Sequence, residues 1–480
     1  MPNNTVSFYL LTDTHLVSPD IWEEGKPIDL RERGDQIALK ATPQILDSFI
    51  DKILADRDTN VVVFTGDNVN GGDVASHNEF RDRLQKLKDA GKTVYVTCAT
   101  HDYCSTGEDE CVFHEAIRYT KTGTQPIPFL RKHELFDFYR EFGPDQALSV
   151  HGESGSYTVK PGEGLRLIMI CDNGNGRSHC GLFEDGVRWL TEQIREAKKA
   201  GDYVMLAVHH PVLPPWEVFR HMAEYELYGG YQELWKLMCE EGVRVVFTGH
   251  THVQSIRKYT DEEGRWFLDV STIALANAAG KMRKITVDTA AAVCSVESVG
   301  IDTLKGIDTG GLSAYDHLYH LNFPGIIEKL LPLGASDFDA FLSLGEGLLP
   351  IDKLRSHRFL VQKVCRKALR IPLSTAAKLG GTWRGFSREE RRQLRKEPLI
   401  TSVYEILRHI YTGNAPFSPE TKVYRVFSGA AKKIDGLVRR FHIQKALDLI
   451  PPGSSLAEMA EDFLYNNRTG DDDTVTFSLK

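Results

Sequence analysis

The chain has 480 residues, too many for one hydrophobic core, so two or three domains are expected. Hydrophobic residues make up 41% and charged residues 26%, the balance of a soluble globular protein and not of a disordered or fibrous one. The formal net charge of −8 excludes a chain-wide bias toward nucleic acid, and no run of about 18 apolar residues marks a membrane span.

The opening run VSFYLLT is short, follows no basic stretch and leads straight to Asp13 and His15, so it reads as a strand and not as a secretory signal. ATPQILDSFIDKIL reads as a helix, with Thr42 as N-cap, Pro43 in the first turn and Ile45, Leu46, Phe49, Ile50 and Ile53 on one face. VVVFTGD is the next strand. Ser76 and Glu79 have capping-box spacing and open a helix carrying Leu84 and Leu87. TVYVTC is a third strand, and SYTV with LRLIMICD forms a hairpin through KPGEG. A helix at EDGVRWLTEQIREAKKA, a strand at YVMLAVHH, a helix at YQELWKLMCEEG and a strand at RVVFTGHTH follow. RWFLDVS, KMRKITVD and AVCSVESVG are late strands suited to an antiparallel edge. This alternation implies an α/β domain over residues 1–305.

The pattern then changes. DTLKGIDTGGLS is a polar, glycine-containing linker, and residues 306–480 read as a mainly helical domain or lid. Helices are expected near 323–346, 353–370, 386–412, 421–448 and 455–466, punctuated by Pro350, Pro372, Pro398 and the Pro451–Pro452 pair. Between Ile351 and Lys445 there are 22 Lys plus Arg against 7 Asp plus Glu. That stretch has several readings: a solvated helical face, docking on the more acidic residues 1–305, a surface for nucleic acid or an acidic membrane, or a lid that narrows the metal site. Eight cysteines lack paired spacing. Cys98, Cys171 and Cys239 fall in apolar runs, and Cys104 and Cys111 flank an acidic loop. Reduced thiols of a cytoplasmic chain are the expectation.

Five short stretches end or follow strands and deliver metal-ligating side chains. They are Asp13-Thr14-His15, Gly66-Asp67-Asn68, Thr100-His101-Asp102, His209-His210-Pro211 and Gly249-His250-Thr251-His252. Carboxylates and imidazoles suit Zn, Mn or Fe. Alternation along an extended segment points both side chains of D-x-H or H-x-H one way, and loops at neighbouring strand ends converge. Any one stretch alone is an ordinary strand exit; the ordered set of five is what points to a metal site.

The set resembles the calcineurin-like metallophosphoesterase family. Its pattern of D-x-H, G-D-x, G-N-H-[DE], an H-x-P-like element and G-H-x-H appears here as DTH, GDN, ATHD, HHP and GHTH, over residues 1 to about 300. GDNVNGGDVASHNEF, GLFEDGVRWL and the helical extension look most like the bacterial cyclic-nucleotide phosphodiesterase branch. The resemblance implies a four-layer α/β/β/α sandwich and two divalent or mixed-valence transition metal ions (Mn, Fe or Zn). Asp13, His15 and His252 would hold one metal, Asp67 would bridge, and His209 and His250 would hold the second, with His210 competing for the HHP position. His101 would stand beside the attacked or departing oxygen, and Asp102 would orient it. Asn68, His210, Asn173 and His179 are candidates for substrate contact.

The implied reaction is hydrolysis of a small-molecule phosphodiester, with 3′,5′-cyclic nucleotides as the leading substrate, by a metal-bridging hydroxide. The alternatives are a phosphomonoesterase, a nuclease, or a catalytically weak metal-binding interaction protein. Neither a nucleic-acid nor a membrane partner is expected, and the oligomeric state stays open. Thr100 departs from the family's Asn. Its hydroxyl is shorter and a poorer ligand, so a weaker second metal is expected. Ala99 in place of Gly implies a turn that needs no positive φ.

Overall fold

The computed structural model describes residues 4–480 except 36, 105–115, 174–179, 279, 410, 413–416, 443–449, 452 and 466–470. In chain order the strands are β1 (Thr5–Leu11), β2 (Val61–Thr65), β3 (Thr93–Thr97), β4 (Ile117–Tyr119), β5 (Thr124–Pro126), β6 (Ser149–His151), β7 (Ser156–Gly162) and β8 (Leu165–Met169). Then come β9 (Tyr203–Ala207), β10 (Val245–Thr248), β11 (Ser255–Thr260), β12 (Trp266–Ser271), β13 (Lys281–Asp288), β14 (Val293–Gly300) and β15 (Thr474–Ser478). Six form one sheet in the order β15-β14-β13-β1-β2-β3, and seven form a second in the order β11-β12-β10-β9-β8-β7-β6. β4 and β5 make a separate hairpin.

Side-chain alternation explains the layering. Phe8 and Leu10 of β1 enter the core between the sheets, where they meet Leu167 and Met169 of β8 and Phe247 of β10. Tyr9 and Leu11, one residue out of phase, face Phe49 and Phe80 on the helices Thr42–Ala55 and Val74–Asp89. Ile168 and Leu206 likewise face Leu190, Ile194 and Met238 on the helices Glu184–Lys199 and Tyr231–Glu241. Strands buried on both faces read as continuous apolar runs, as VVVFT does. The result is the α/β/β/α sandwich. Within it β1, β2 and β3 run parallel, as do β8, β9, β10 and β12, so their carboxyl ends gather the loops between them.

The chain divides into two compact units: Met1–Pro215 with Glu224–Leu318 and Gly470–Lys480, and Trp216–Ala223 with Tyr319–Thr469. This differs from a break at 305/306 in one respect that matters. The last residues, assigned in sequence to the mainly helical 306–480 region, form β15 and pair antiparallel with β14 from Val293↔Ser478 to Glu297↔Thr474. The buried Arg283 side chain fixes that return, donating from Nη1 to the Asp472 carbonyl (2.6 Å) and the Ser298 hydroxyl (2.6 Å).

The second unit is helical. One small core gathers Ile326, Leu330, Phe338, Phe341 and Leu342, and another gathers Leu373, Phe386, Leu394, Val423 and Val426. Several expected helices are broken. The 323–346 segment splits at Asp337, whose carboxylate caps Phe338–Leu344 by accepting from Ala340 N at 3.0 Å. The 386–412 segment splits ahead of Leu399, after Pro398, and 353–370 splits between Arg355 and Arg358. In the first unit the helix Val74–Asp89 is capped by Asp73, which accepts from Ser76 N at 2.8 Å; Ser76 is interior and accepts from Ser18 N. Thr42 is the first helical residue and not the cap.

Candidate metal centre

The five expected stretches lie at the carboxyl ends of β1, β2, β3, β9 and β10. Their backbones are unusual. Asp13 (φ 49°), His15 (42°), Asp67 (48°), His250 (67°) and His252 (56°) adopt left-handed φ, five of the seven non-glycine cases among the described residues. Each costs roughly 1–2 kcal/mol, and such strain persists where the surroundings over-determine it. Here Asp13 N, His15 N and Leu16 N donate to the carbonyls of Gly66, Asp67 and Asn68, each at 3.0 Å, which locks the DTH and GDN loops together. Two glycines make room. A Cβ on Gly66 (φ +100°) would meet Ala99 Cβ at 2.6 Å, and one on Gly249 would overlap Thr12 Oγ1 and Asp13 Oδ2.

The side chains converge in three overlapping groups. They are Asp13, His15 and His252; His15, Asp67 and His101; and Asp67, His209 and His250, each with one ligand atom per residue within 4.8 Å of the others. His252 Nε2 lies 3.4 Å from Asp13 Oδ1 and 2.9 Å from His15 Nε2. His209 Nε2 lies 3.0 Å from Asp67 Oδ2 and 3.8 Å from Asp13 Oδ1. The outer nitrogens fix the tautomers. His209 Nδ1 faces the Thr65 carbonyl at 3.0 Å, and His15 Nδ1 faces Asn70 Oδ1 at 2.9 Å. A carbonyl oxygen only accepts, so each Nδ1 carries a hydrogen, and each Nε2 points inward with a lone pair whenever its ring is neutral. His209 Nε2 is buried, finds no hydrogen-bond partner and faces a carboxylate. Lone pair against carboxylate is repulsive unless a proton or cation lies between them, so this donor set fits a divalent metal.

The electrostatics agree. Burial pushes the His209 imidazole down, but the Asp67 and Asp13 carboxylates outweigh it and raise it to about 10. Burial would raise Asp67 and Asp13, yet the His209 charge and neighbouring imidazoles hold both well below the usual carboxylate range.

Thr100, His101 and Asp102 form a single 3₁₀ turn after β3. Ala99 before it is extended (φ −137°), so no glycine is needed there. His101 N donates to Asp67 Oδ1 at 2.9 Å, and its Nδ1 faces the Asn70 carbonyl at 3.0 Å. Asp102, expected to orient that imidazole, is instead engaged by two backbone donors and a side-chain amide: it accepts from Ala99 N (2.8 Å), Val69 N (2.9 Å) and Asn68 Nδ2 (3.0 Å). Burial, then the Asp67 charge, pushes it up to about 7. Asn68, expected at substrate, is 1% exposed and turns its amide nitrogen to Asp102 and to the Thr97 carbonyl. The tight turn presents backbone N–H groups that the Asp102 carboxylate satisfies, which is why both side chains face inward.

Of the HHP pair, His209 joins Asp67, while His210 Nδ1 lies 2.9 Å from Asp172 Oδ2 and its ring 4.2 Å from that of His250. Burial lowers His210 to about 4. Asn173 donates to Cys171 Sγ at 3.3 Å, beside a 390 Å³ cavity also lined by Cys98, Lys132, Tyr139 and Tyr157. His179 and Cys111 lie outside the described residues.

Three supports were not assigned from sequence. Asn70 continues from His15 to Asp35 (2.8 Å), which Arg31 holds at 2.6 Å. Glu226 approaches His250 Nε2 at 3.5 Å. His77 links the Tyr139 hydroxyl (2.6 Å) to the Asp102 carbonyl (2.8 Å). Such outer partners fix ring orientation. Asn70 and His77 stand near the motifs in sequence, where they read as possible substrate contacts or as ordinary exposed loop or capping residues, whereas the structure buries both; Glu226 carried no sequence signal.

The calcineurin-like phosphoesterase family model matches residues 6–254. Human sphingomyelin phosphodiesterase is 28% identical over 134 residues, 25% of this chain and 18% of that protein. A Synechococcus sp. (strain WH7803) protein described as "Probable cyclic nucleotide phosphodiesterase" is 35% identical over 89 residues, 18% of this chain and 32% of that protein. The matches thus span under a third of these relatives' lengths. Among solved structures, a dimetal phosphatase from Danio rerio has a TM-score of 0.44 at 12% identity, covering 62% of this chain and 97% of that one. Because the matched span exceeds half of the chain and holds every acid and imidazole of the three groups, the protein belongs to the calcineurin-like phosphoesterase family.

Proposed function

We propose that the protein is a metal-dependent phosphoester hydrolase acting on phosphodiesters, with a 3′,5′-cyclic nucleotide as the leading substrate. The observation that carries this is Asp67: it and His15 each belong to two of the three groups, and of the two only the carboxylate has a second ligand atom able to bridge, since His15 Nδ1 is held by Asn70. Asp13, His15 and His252 would hold one ion, His209 and His250 a second, with Asp67 shared and Thr100 lining the second position. Two divalent ions supply positive charge that polarises a phosphoryl group and makes a nearby water more acidic.

The chain's own residues do the rest. The Asn70 carbonyl accepts the His101 Nδ1 hydrogen and leaves Nε2 as the remaining ring nitrogen; with a second proton on Nε2 the imidazolium would pass that proton to a departing alkoxide and return to the neutral Nδ1–H tautomer. The His101 backbone N–H on Asp67 keeps the imidazole in register with the shared carboxylate. The phosphodiester preference and the cyclic-nucleotide substrate are supported by the similarity to the two phosphodiesterases above.

The test is a substrate panel with added Mn: bis(p-nitrophenyl) phosphate, p-nitrophenyl phosphate, 3′,5′-cyclic AMP and single-stranded DNA. The expected order places the phosphodiesters well above the monoester. Thr100 motivates a second reading, a metal-binding protein with weak catalysis. Bound metal without turnover of any panel member would select it.

A further inference from the structure

The helix Arg358–Ala368 presents two different faces. Its inner side is satisfied: Cys365 is buried and Val361 packs on the core of Ile326, Leu330 and Phe338. Gly334 lets the helices approach, since a Cβ there would meet Cys365 Sγ at 2.7 Å. Its outer side is apolar as well. Phe359 is 86% exposed, Leu360 58% and Val364 55%. At 100° per residue, Phe359, Leu360, Lys363, Val364 and Lys367 share an arc of about 140°. Residues 351–370 carry seven Lys plus Arg against one acidic residue, Asp352. Among the described residues, Lys363, Lys367 and Arg370 make no ion pair.

We infer that this face of Arg358–Ala368 docks on an anionic lipid surface, lying in the plane of the interface with Phe359, Leu360 and Val364 inserted and the lysines snorkelling to headgroup phosphates. Charge complementarity selects the occupant. A second copy of the chain would bring Lys363 and Lys367 against their own images, and like charges at close range disfavour that. A nucleic acid would pair with the lysines but leave Leu360 and Val364 without a role. An anionic bilayer takes both at once. Among the described residues no helix is long and apolar enough to cross a membrane, but a helix lying in the interface needs neither that length nor that composition.

The test uses the full chain and two vesicle preparations, phosphatidylcholine alone and phosphatidylcholine mixed with phosphatidylserine, read by co-sedimentation. The wild type should bind the mixed vesicles, weaken as salt rises, and bind pure phosphatidylcholine far less. Phe359→Ser combined with Leu360→Ser should lower partitioning at least about tenfold. Lys363→Glu with Lys367→Glu should do the same, since each basic residue near an anionic surface is worth about fivefold. All four side chains are exposed, so the variants should keep the wild-type circular dichroism and its hydrolysis of a soluble substrate. Failure of the wild type to bind mixed vesicles overturns the inference, as does equal binding by both variants. So does a concentration-dependent dimer that Phe359→Ser abolishes without any vesicle binding.

Discussion

Asp67 and Thr100 are the two side chains on which the stoichiometry of the proposed metal centre turns. Asp67 is shared between groups, whereas Thr100 offers a neutral hydroxyl where the family has an amide. After identical dialysis, Asp67→Asn should hold less than one metal per chain and lose at least about 100-fold in turnover, more than the loss of an outer partner costs. Thr100→Asn should raise metal content toward two per chain. Two tightly held ions in the wild type, unchanged by Thr100→Asn, would show that the second position draws its ligand from elsewhere. His209 adds a pH dependence with a definite sign. Raised to about 10, it is protonated at pH 7 in the metal-free protein and must be neutral to ligate. Metal uptake should therefore release a proton at pH 7, and affinity should climb with pH up to about 10. Calorimetry in buffers of different ionisation enthalpy measures this; a buffer-independent heat would contradict it. At this scale motif order and strand ends singled out the acids and imidazoles that the fold brings together. It misplaced the contacts of Asp102 and Asn68, because a carboxylate inside a tight turn is claimed by nearby backbone N–H groups that no spacing reveals.

At the scale of elements, apolar runs made most strands of both sheets legible, though not β6, β11 or β15, and the residues of β1 alternate between the two cores. The order of strands within each sheet was not legible, since it depends on contacts between residues hundreds of positions apart. Helix ends were partly misread. Ser76 and Glu79 have the right spacing for a capping box, but Asp73 three residues earlier reaches Ser76 N first. Asp73→Ala should destabilise the protein by about 1 kcal/mol through the lost cap. Glu79→Ala should stay within about 0.5 kcal/mol, as exposed substitutions away from such features do. Urea denaturation of the two variants separates them, and a larger loss for Glu79→Ala would restore the capping-box assignment. In the helical unit Asp337 was hidden in the same way: an acidic residue within an apolar periodic run looks like the polar face of one long helix when it caps a second.

For the molecule as a whole, the helical unit is an insertion. The chain leaves the sandwich after Leu318 and re-enters it at Gly470. The linker expected at 302–313 lies a few residues ahead of the first crossing, and the second gave no signal because TVTFS is only five residues long and follows three consecutive aspartates. Deleting residues 470–480 should therefore damage the sandwich and not merely trim a tail. Arg283, fully buried and lowered by that burial to about 9, would lose the Asp472 carbonyl and the nearby charge of Asp473. An uncompensated buried charge costs about 3–5 kcal/mol. A fall in melting temperature with loss of bound metal is expected. An unchanged melting temperature would mean that Arg283 and β14 are content with water in place of β15.

The late return of β15 also sets an order of events during synthesis. All other strands of the sheet have emerged once β14 is made, yet its partner lies beyond roughly 170 further residues. At about 5–20 residues per second, β14 stays an open edge for roughly 10–35 s on each ribosome. Open edges recruit other strands. Newly made chains should therefore depend on chaperones during that interval, and rare codons placed between the codons for Gly300 and Thr474 should lower the yield of folded protein while the same codons placed before Val293 should not.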